Sequence, residues 1–189
     1  MDVKQNLSKA IKSLQAAMED AEVNPCDGLP YDLFLFSTTL FPFINVDLFV
    51  ENNNRQLLLS WRDDEYYGAG WQIPGGIIRM KETIEERIHK TACSELHCDI
   101  CSFDRNPIAV GENIIYRHRD RINNQLERAH NIVLLYKCSL PKDYVIDNSR
   151  IKEYKPGFLK WFDSIPDNIL ECHMKAYGDT LIKWEKGIL

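Results

Sequence analysis

Apolar residues recur three or four positions apart over residues 3–21, at Val3, Leu7, Ile11, Leu14 and Met18, and that spacing predicts an amphipathic helix. Asn24-Pro25-Cys26-Asp27-Gly28 ends it, because Pro and Gly both interrupt helices. Beyond this point the pattern shortens. Apolar runs bounded by polar clusters predict strands at 34–41, 44–50, 56–62, 71–73, 107–116, 130–138 and 158–162. Glu51-Asn52-Asn53-Asn54-Arg55 reads as a turn between two of them. Helical spacing returns at Ile84, Ile88, Ala92 and Leu96, and again from Asp163 to Trp184, where Ser164 or Asp167 is a candidate cap. Strands interrupted by helices imply an α/β fold, an α/β/α sandwich around a mixed sheet. Residues 1–28 then form a helical extension with its linker, and residues 29–189 form one domain.

Composition narrows the function classes. The chain has 189 residues, 44% of them apolar, enough for one core. Its net charge of −5 argues against sequence-independent binding of nucleic acid, which needs a basic face. No apolar run reaches transmembrane length, and the N-terminus lacks a signal-peptide core. The six cysteines include a single C-x-x-C, Cys98 and Cys101, without the second pair that a structural zinc site requires. Reduced thiols in a cytoplasm are the simpler expectation. An apolar-faced helix outside the main domain packs on that domain or on another subunit, so a homodimer is expected.

The segment after residue 70 carries the chemistry. At 100° per residue, with Glu82 at the origin, Ile84, Ile88, Ala92 and Leu96 spread over roughly 200–320° as one apolar stripe. Glu86, Arg87, Lys90 and Ser94 fall on the opposite, solvated side. Glu95 falls inside the stripe. A carboxylate there must be paired, hydrogen-bonded or bound to a metal, because an isolated buried charge is too costly. The Gly75-Gly76 pair before the helix permits close backbone approach and leaves a carbonyl or amide free for a ligand.

Trp71-Gln72-Ile73-Pro74-Gly75-Gly76 followed by Glu82 and the helix to Leu96 resembles a Nudix box, G-x5-E-x7-R-E-U-x-E-E-x-G-U with U a bulky aliphatic. Gly76 takes the first Gly position, Glu82 the next Glu, and Lys90 the Arg. Thr91 and Ser94 stand where two of three metal-binding glutamates belong, and Glu95 keeps the third. His97 and Cys98 replace the final Gly and aliphatic residue. Within that superfamily the chain is similar to the GDP-mannose mannosyl hydrolases, whose helix also ends in a lone Ala-Glu-Leu-type glutamate. Asn45 to Val50 resembles that branch's first core strand, with its aspartate at Asp47, and Leu57 to Arg62 the next strand, with its substrate-facing arginine at Arg62. His130 to Tyr136 and Leu159 to Phe162 resemble two later strands.

The resemblance implies a Nudix-type sandwich, a Mg²⁺ or Mn²⁺ cofactor held by Glu95 and the Gly75 carbonyl, and structural roles for Gly76 and Glu82. It implies substrate contacts from Asp47, Arg62, Arg79 and Lys90, and catalytic roles for Glu95, Asp47 and Arg62. A buried Asp47–Arg62 pair fixing the sheet edge is the structural alternative. Departures exist as well. Lys152 to Phe158, where the branch carries its basic histidine and a glutamine ligand, contains neither, and Ile77 stands where an arginine follows the Gly pair. The general base therefore stays open among His118, His130, Glu112 and Glu153. Residues 117–129 hold four Arg and one His, which read either as a phosphate-gripping loop or as a solvated hairpin tip.

One carboxylate with one carbonyl is lean for activating water at phosphorus. It suffices to hold one metal against a departing nucleoside diphosphate. The expectation is a metal-dependent hydrolase of a nucleoside-diphosphate sugar, releasing nucleoside diphosphate and sugar. The alternatives are a diphosphatase cleaving the phosphate–phosphate bond and a non-catalytic ligand-sensing domain.

Overall fold

The computed structural model describes residues 3–114 and 130–189. In chain order the elements are α1 (Val3–Asp20), α2 (Tyr31–Thr38), β1 (Phe43–Val50), β2 (Leu57–Asp64), β3 (Gly68–Gln72), β4 (Gly75–Ile77), α3 (Ile84–Thr91), β5 (Ser102–Phe103), β6 (Ala109–Ile114), β7 (His130–Ser139), β8 (Leu159–Phe162) and α4 (Glu171–Glu185). A π-helical turn, Ala92–Leu96, continues α3 directly.

The larger sheet runs β4-β1-β7-β5 with β6 also paired to β7. Its β1 and β7 are parallel and its other pairs antiparallel, so the sheet is mixed. The smaller sheet, β3-β2-β8, is antiparallel throughout. Alternation along β1 divides the interior between two cores. Val46, Leu48 and Val50 pack in one cluster with Ile88, Ala92 and Leu96 of the α3 region. Phe49 packs in the other with Val133, Leu135 and α4's Tyr177, Leu181 and Trp184. Helices thus cover both faces, as an α/β/α sandwich requires.

Three elements depart from the sequence expectation. The run expected as a strand at 34–41 is largely helix α2. Leu35 and Thr38, three apart, are its buried residues, while the Ser37, Thr38 and Thr39 hydroxyls each donate to a carbonyl three residues back at 2.7 Å. Short apolar runs do not distinguish the two periods, and Pro30 supplies a helix start. The closing helix starts at Glu171, well after Ser164 or Asp167, because the chain is first tied to β3. The Trp71 N–H donates to the Asn168 carbonyl at 3.0 Å, and the Leu170 N–H to the Trp71 carbonyl at 2.8 Å. Gly75 and Gly76, which lie beyond the strand expected at 71–73, pair as a further strand, β4, with Asp47 and Val46.

Helix α1 has no buried residue, and its Val3, Leu7, Ile11 and Leu14 remain exposed. Among the described residues no helix is long and apolar enough to cross a membrane.

Candidate active site

A pocket of about 680 Å³ opens over the α4-facing side of the larger sheet. Asn45 and Asp47 of β1, Asn131 and Val133 of β7, and Asn113 of β6 line its floor. His173 and Tyr177 of α4 close one side, Arg62 and Gln72 of the smaller sheet another, and Glu95 enters from the π-helical turn.

Asp47 is the buried centre. Its Oδ2 accepts a hydrogen bond from the Tyr177 hydroxyl at 2.9 Å, and its Oδ1 accepts one from the Asn45 amide. Burial pushes the carboxyl up to about 7, against the opposing pull of Tyr177 and Asn45. His173 Nδ1 stands 4.0 Å from Asp47 Oδ2 and has no hydrogen-bond partner among the described residues. Burial, then the nearby Arg62 charge, pull this imidazole down to about 3, so it is neutral at pH 7. The need for glycine at position 75 is direct: a Cβ there would fall 1.9 Å from Asp47 Oδ1.

Glu95 contrasts with Asp47. No hydrogen bond or ion pair reaches its carboxylate among the described residues. Burial raises its pKa, with Arg62 and His97 acting in the opposite sense. Arg62 itself is committed sideways, to Asp64, to Gln72 Oε1 at 3.2 Å and to the Tyr67 ring at 4.4 Å. The alternative of a buried Asp47–Arg62 pair is therefore not what forms; Tyr177 and Asn45 are the partners of Asp47.

The start of the motif is saturated with contacts. Thr83 and Glu86 form a reciprocal capping box at the start of α3. Glu82 precedes this cap and accepts two hydrogen bonds from Arg87, at 2.8 and 2.7 Å, a third from Lys90 at 2.9 Å and a fourth from the Arg79 N–H at 2.9 Å. Burial opposes its charge, but these donors hold the carboxyl down at about 2. Gly76 makes room for this arrangement, since a Cβ there would meet Thr91 Oγ1 at 2.6 Å and Arg87 at 3.1 Å.

No family model matches the chain. A 76-residue stretch, 40% of the chain, is 28% identical to the low-salt glycan biosynthesis protein Agl8 of Haloferax volcanii. That stretch corresponds to 48% of Agl8, so the chain spans about half the length of the curated relative it matches. Among solved structures, the MutT protein of Methanosarcina mazei Go1 superposes with a TM-score of 0.55 at 13% identity, over 77% of this chain and 95% of that one. The MutT NUDIX hydrolase of Burkholderia pseudomallei gives 0.55 at 14% identity, over 79% and 99%. The chain has the Nudix fold.

Laid on the Nudix fold, the sequence-derived residues separate. Glu95, Asp47, Arg62, Arg79, Gly75 and Gly76 all line the pocket. Arg79 sits towards the linker, its guanidinium donating to the Asp27 carbonyl. Lys90 does not line the pocket; its ammonium turns back to Glu82. Arg87, expected on the solvated face, is buried, and Ile84, expected in the apolar stripe, is 37% exposed. Arg87 is drawn inwards by its two hydrogen bonds to Glu82, and Ile84 is the first residue of α3, where the helix is least covered. Of the four open candidates for the base, His118 lies outside the described residues, with the rest of the 117–129 loop. His130 and Glu112 pair with each other at 2.9 Å on positions that alternate with the pocket-lining Asn131 and Asn113, and Glu153 is exposed. His173, Tyr177, Asn113 and Asn131 were not singled out from sequence. The four-residue spacing of His173 and Tyr177 on one helix face was their only local signal.

Among the described residues no three His, Cys, Asp or Glu side chains converge to hold a metal. A half-buried carboxylate without a protein partner nevertheless suits a hard divalent cation that takes its remaining ligands from phosphate and water. Glu95 fits that description.

Proposed function

We propose that the chain is a metal-dependent hydrolase of a nucleoside-diphosphate sugar, of GDP-mannose type, releasing nucleoside diphosphate and free sugar. One observation carries this reading: among the described residues Glu95 is the pocket carboxylate without a hydrogen-bond or ion-pair partner, while the box's other two metal positions are Thr91 and Ser94. Thr91 is fully buried behind Gly76 and does not line the pocket, so its hydroxyl does not take the place of a second carboxylate there.

Glu95, with the Gly75 carbonyl, would hold Mg²⁺ or Mn²⁺, which when bound offsets the negative charge gathering on the departing diphosphate. The bond broken joins the sugar's anomeric carbon to the diphosphate oxygen, which keeps the electron pair. Water supplies the new bond to carbon. Arg62 orients and neutralises phosphate oxygens through its guanidinium. Asp47, titrating near neutrality, holds the proton given up by water. Agl8, to which part of the chain is similar, is a low-salt glycan biosynthesis protein, and a nucleotide-sugar substrate is compatible with that setting. All six cysteines are free, in keeping with a reducing compartment such as the cytoplasm. The exposed face of α1 is the contact proposed for a homodimer, which sedimentation at varied concentration tests.

Attack at phosphorus, as in a diphosphatase, and ligand sensing without turnover are the competing outcomes. Resolving the products of nucleotide sugars incubated with Mg²⁺ separates them. Sugar plus nucleoside diphosphate supports the proposal; sugar phosphate plus nucleoside monophosphate, or no product, defeats it.

A further inference from the structure

Three polar atoms on the pocket wall lack a hydrogen-bond partner among the described residues: Asn113 Oδ1, Asn131 Oδ1 and His173 Nδ1. As the side chains stand, all three atoms are shut off from water, so a ligand hydroxyl meets them once these side chains turn into the pocket that their residues line. Asn131 and His173 are 6% and 8% exposed as whole residues. Native structures leave few buried polar groups unsatisfied, so three on one wall is a marked concentration. Their placement is ordered. Asn113 and Asn131 are direct partners across the β6–β7 ladder, and α4 descends on the same face, with Ala176 packed against Gly111.

Charge divides the pocket. Arg62, Arg79 and Arg87 come from the smaller sheet and from the β4–α3 region, and none forms an ion pair or hydrogen bond with the wall. The wall is neutral, because the buried imidazole of His173 holds no proton to spare at pH 7. It offers carboxamides and an imidazole, groups that both donate and accept. Phe43 lies beside it in register with Asn131, adding an apolar surface.

We infer that Asn113, Asn131 and His173 form the binding wall for an uncharged, hydroxyl-bearing sugar ring of the substrate, and so set specificity for the sugar. Hydroxyls both donate and accept, so they satisfy all three atoms whichever way the two amides are turned. The phosphates then lie towards the arginines. This assignment rests on the nucleotide-sugar reading above, but it names different residues and a different part of the ligand.

The test uses the full chain with Mg²⁺, and calorimetric titration of GDP-mannose, UDP-glucose, GDP and UDP. Asn113→Leu and His173→Phe keep side-chain bulk and remove the polar atoms. Each is expected to weaken the preferred nucleotide sugar at least tenfold while changing the affinity of its nucleoside diphosphate less than twofold. The unaltered protein is titrated in parallel with analogues lacking single ring hydroxyls, which needs no variant to fold. At least one deletion should cost tenfold there, and far less in Asn113→Leu. Equal losses for sugar and nucleoside diphosphate would reassign the wall to the nucleobase and overturn the inference. So would indifference to every hydroxyl deletion. Binding of nucleoside diphosphate without any preference for a sugar sinks this inference alone; binding of none of the four removes the nucleotide-sugar reading with it.

Discussion

Two carboxylates thirteen positions apart on one motif, Glu82 and Glu95, live in opposite surroundings. Glu82 is enclosed by Arg87, Lys90 and the Arg79 N–H, and its carboxyl is held at about 2. Glu95 has no donor among the described residues, and burial drives its pKa the other way. The difference teaches how the motif divides its work. At one end charge is neutralised within the protein and fixes the β4–α3 connection. At the other end the carboxylate meets no donor among the described residues, and the proposed metal role rests on that lack of partners. The pocket repeats the lesson, with Asp47 satisfied by Tyr177 and Asn45 while His173, Asn113 and Asn131 each leave a polar atom without a partner among the described residues.

Breaking the saturated end should have the largest effect. Glu82→Gln leaves Arg87 buried without its anion, and such a loss costs about 3–5 kcal/mol. Thermal or urea unfolding measures it; a change under 1 kcal/mol would mean that the enclosed pair does not hold the connection.

A somewhat smaller effect is expected from Asp47, because this carboxyl relieves part of its burial by keeping its proton. The sign follows from the raised value. A buried acid at about 7, against 3.8 in the unfolded chain, favours the folded state most below pH 4, and that contribution is lost as pH rises from 4 to 7. Asp47→Asn should flatten the fall in melting temperature across that window. An unchanged pH profile would contradict the assignment.

At the open end, Glu95→Gln should lower Mg²⁺-dependent kcat/KM at least a hundredfold, about 2.7 kcal/mol. Its melting temperature should hold or rise, since a half-buried charge with no partner among the described residues is removed. Full activity in this variant would restore Glu95 to a structural role. Arg62→Ala is expected to cost about tenfold in kcat/KM, near 1.4 kcal/mol, with a near-normal melting temperature. Its pair with Asp64 is only partly buried, and such pairs contribute at most about 1 kcal/mol. A collapse of stability with full activity in the folded fraction would reverse that conclusion.

Much of this was legible in sequence because it is local. The Gly75-Gly76 pair, the Glu82 to Glu95 spacing and the alternation around Asp47 and Arg62 all lie within single elements or adjacent ones. What escaped depends on long-range packing. Tyr177 meets Asp47 across 130 residues of chain, and nothing near either position announces the contact. Arg87 is buried by its contact with Glu82, which a helical wheel does not include. Lys90, aligned by sequence with the box's arginine, directs its ammonium to Glu82 beside Arg87.

The central claim is that the open end of the motif serves cleavage at a sugar carbon. Turnover of a nucleotide sugar in H₂¹⁸O with Mg²⁺, followed by mass spectrometry and ³¹P NMR of both products, tests it most directly. The account expects ¹⁸O in the free sugar and none in the nucleoside diphosphate. Label on phosphorus would contradict it.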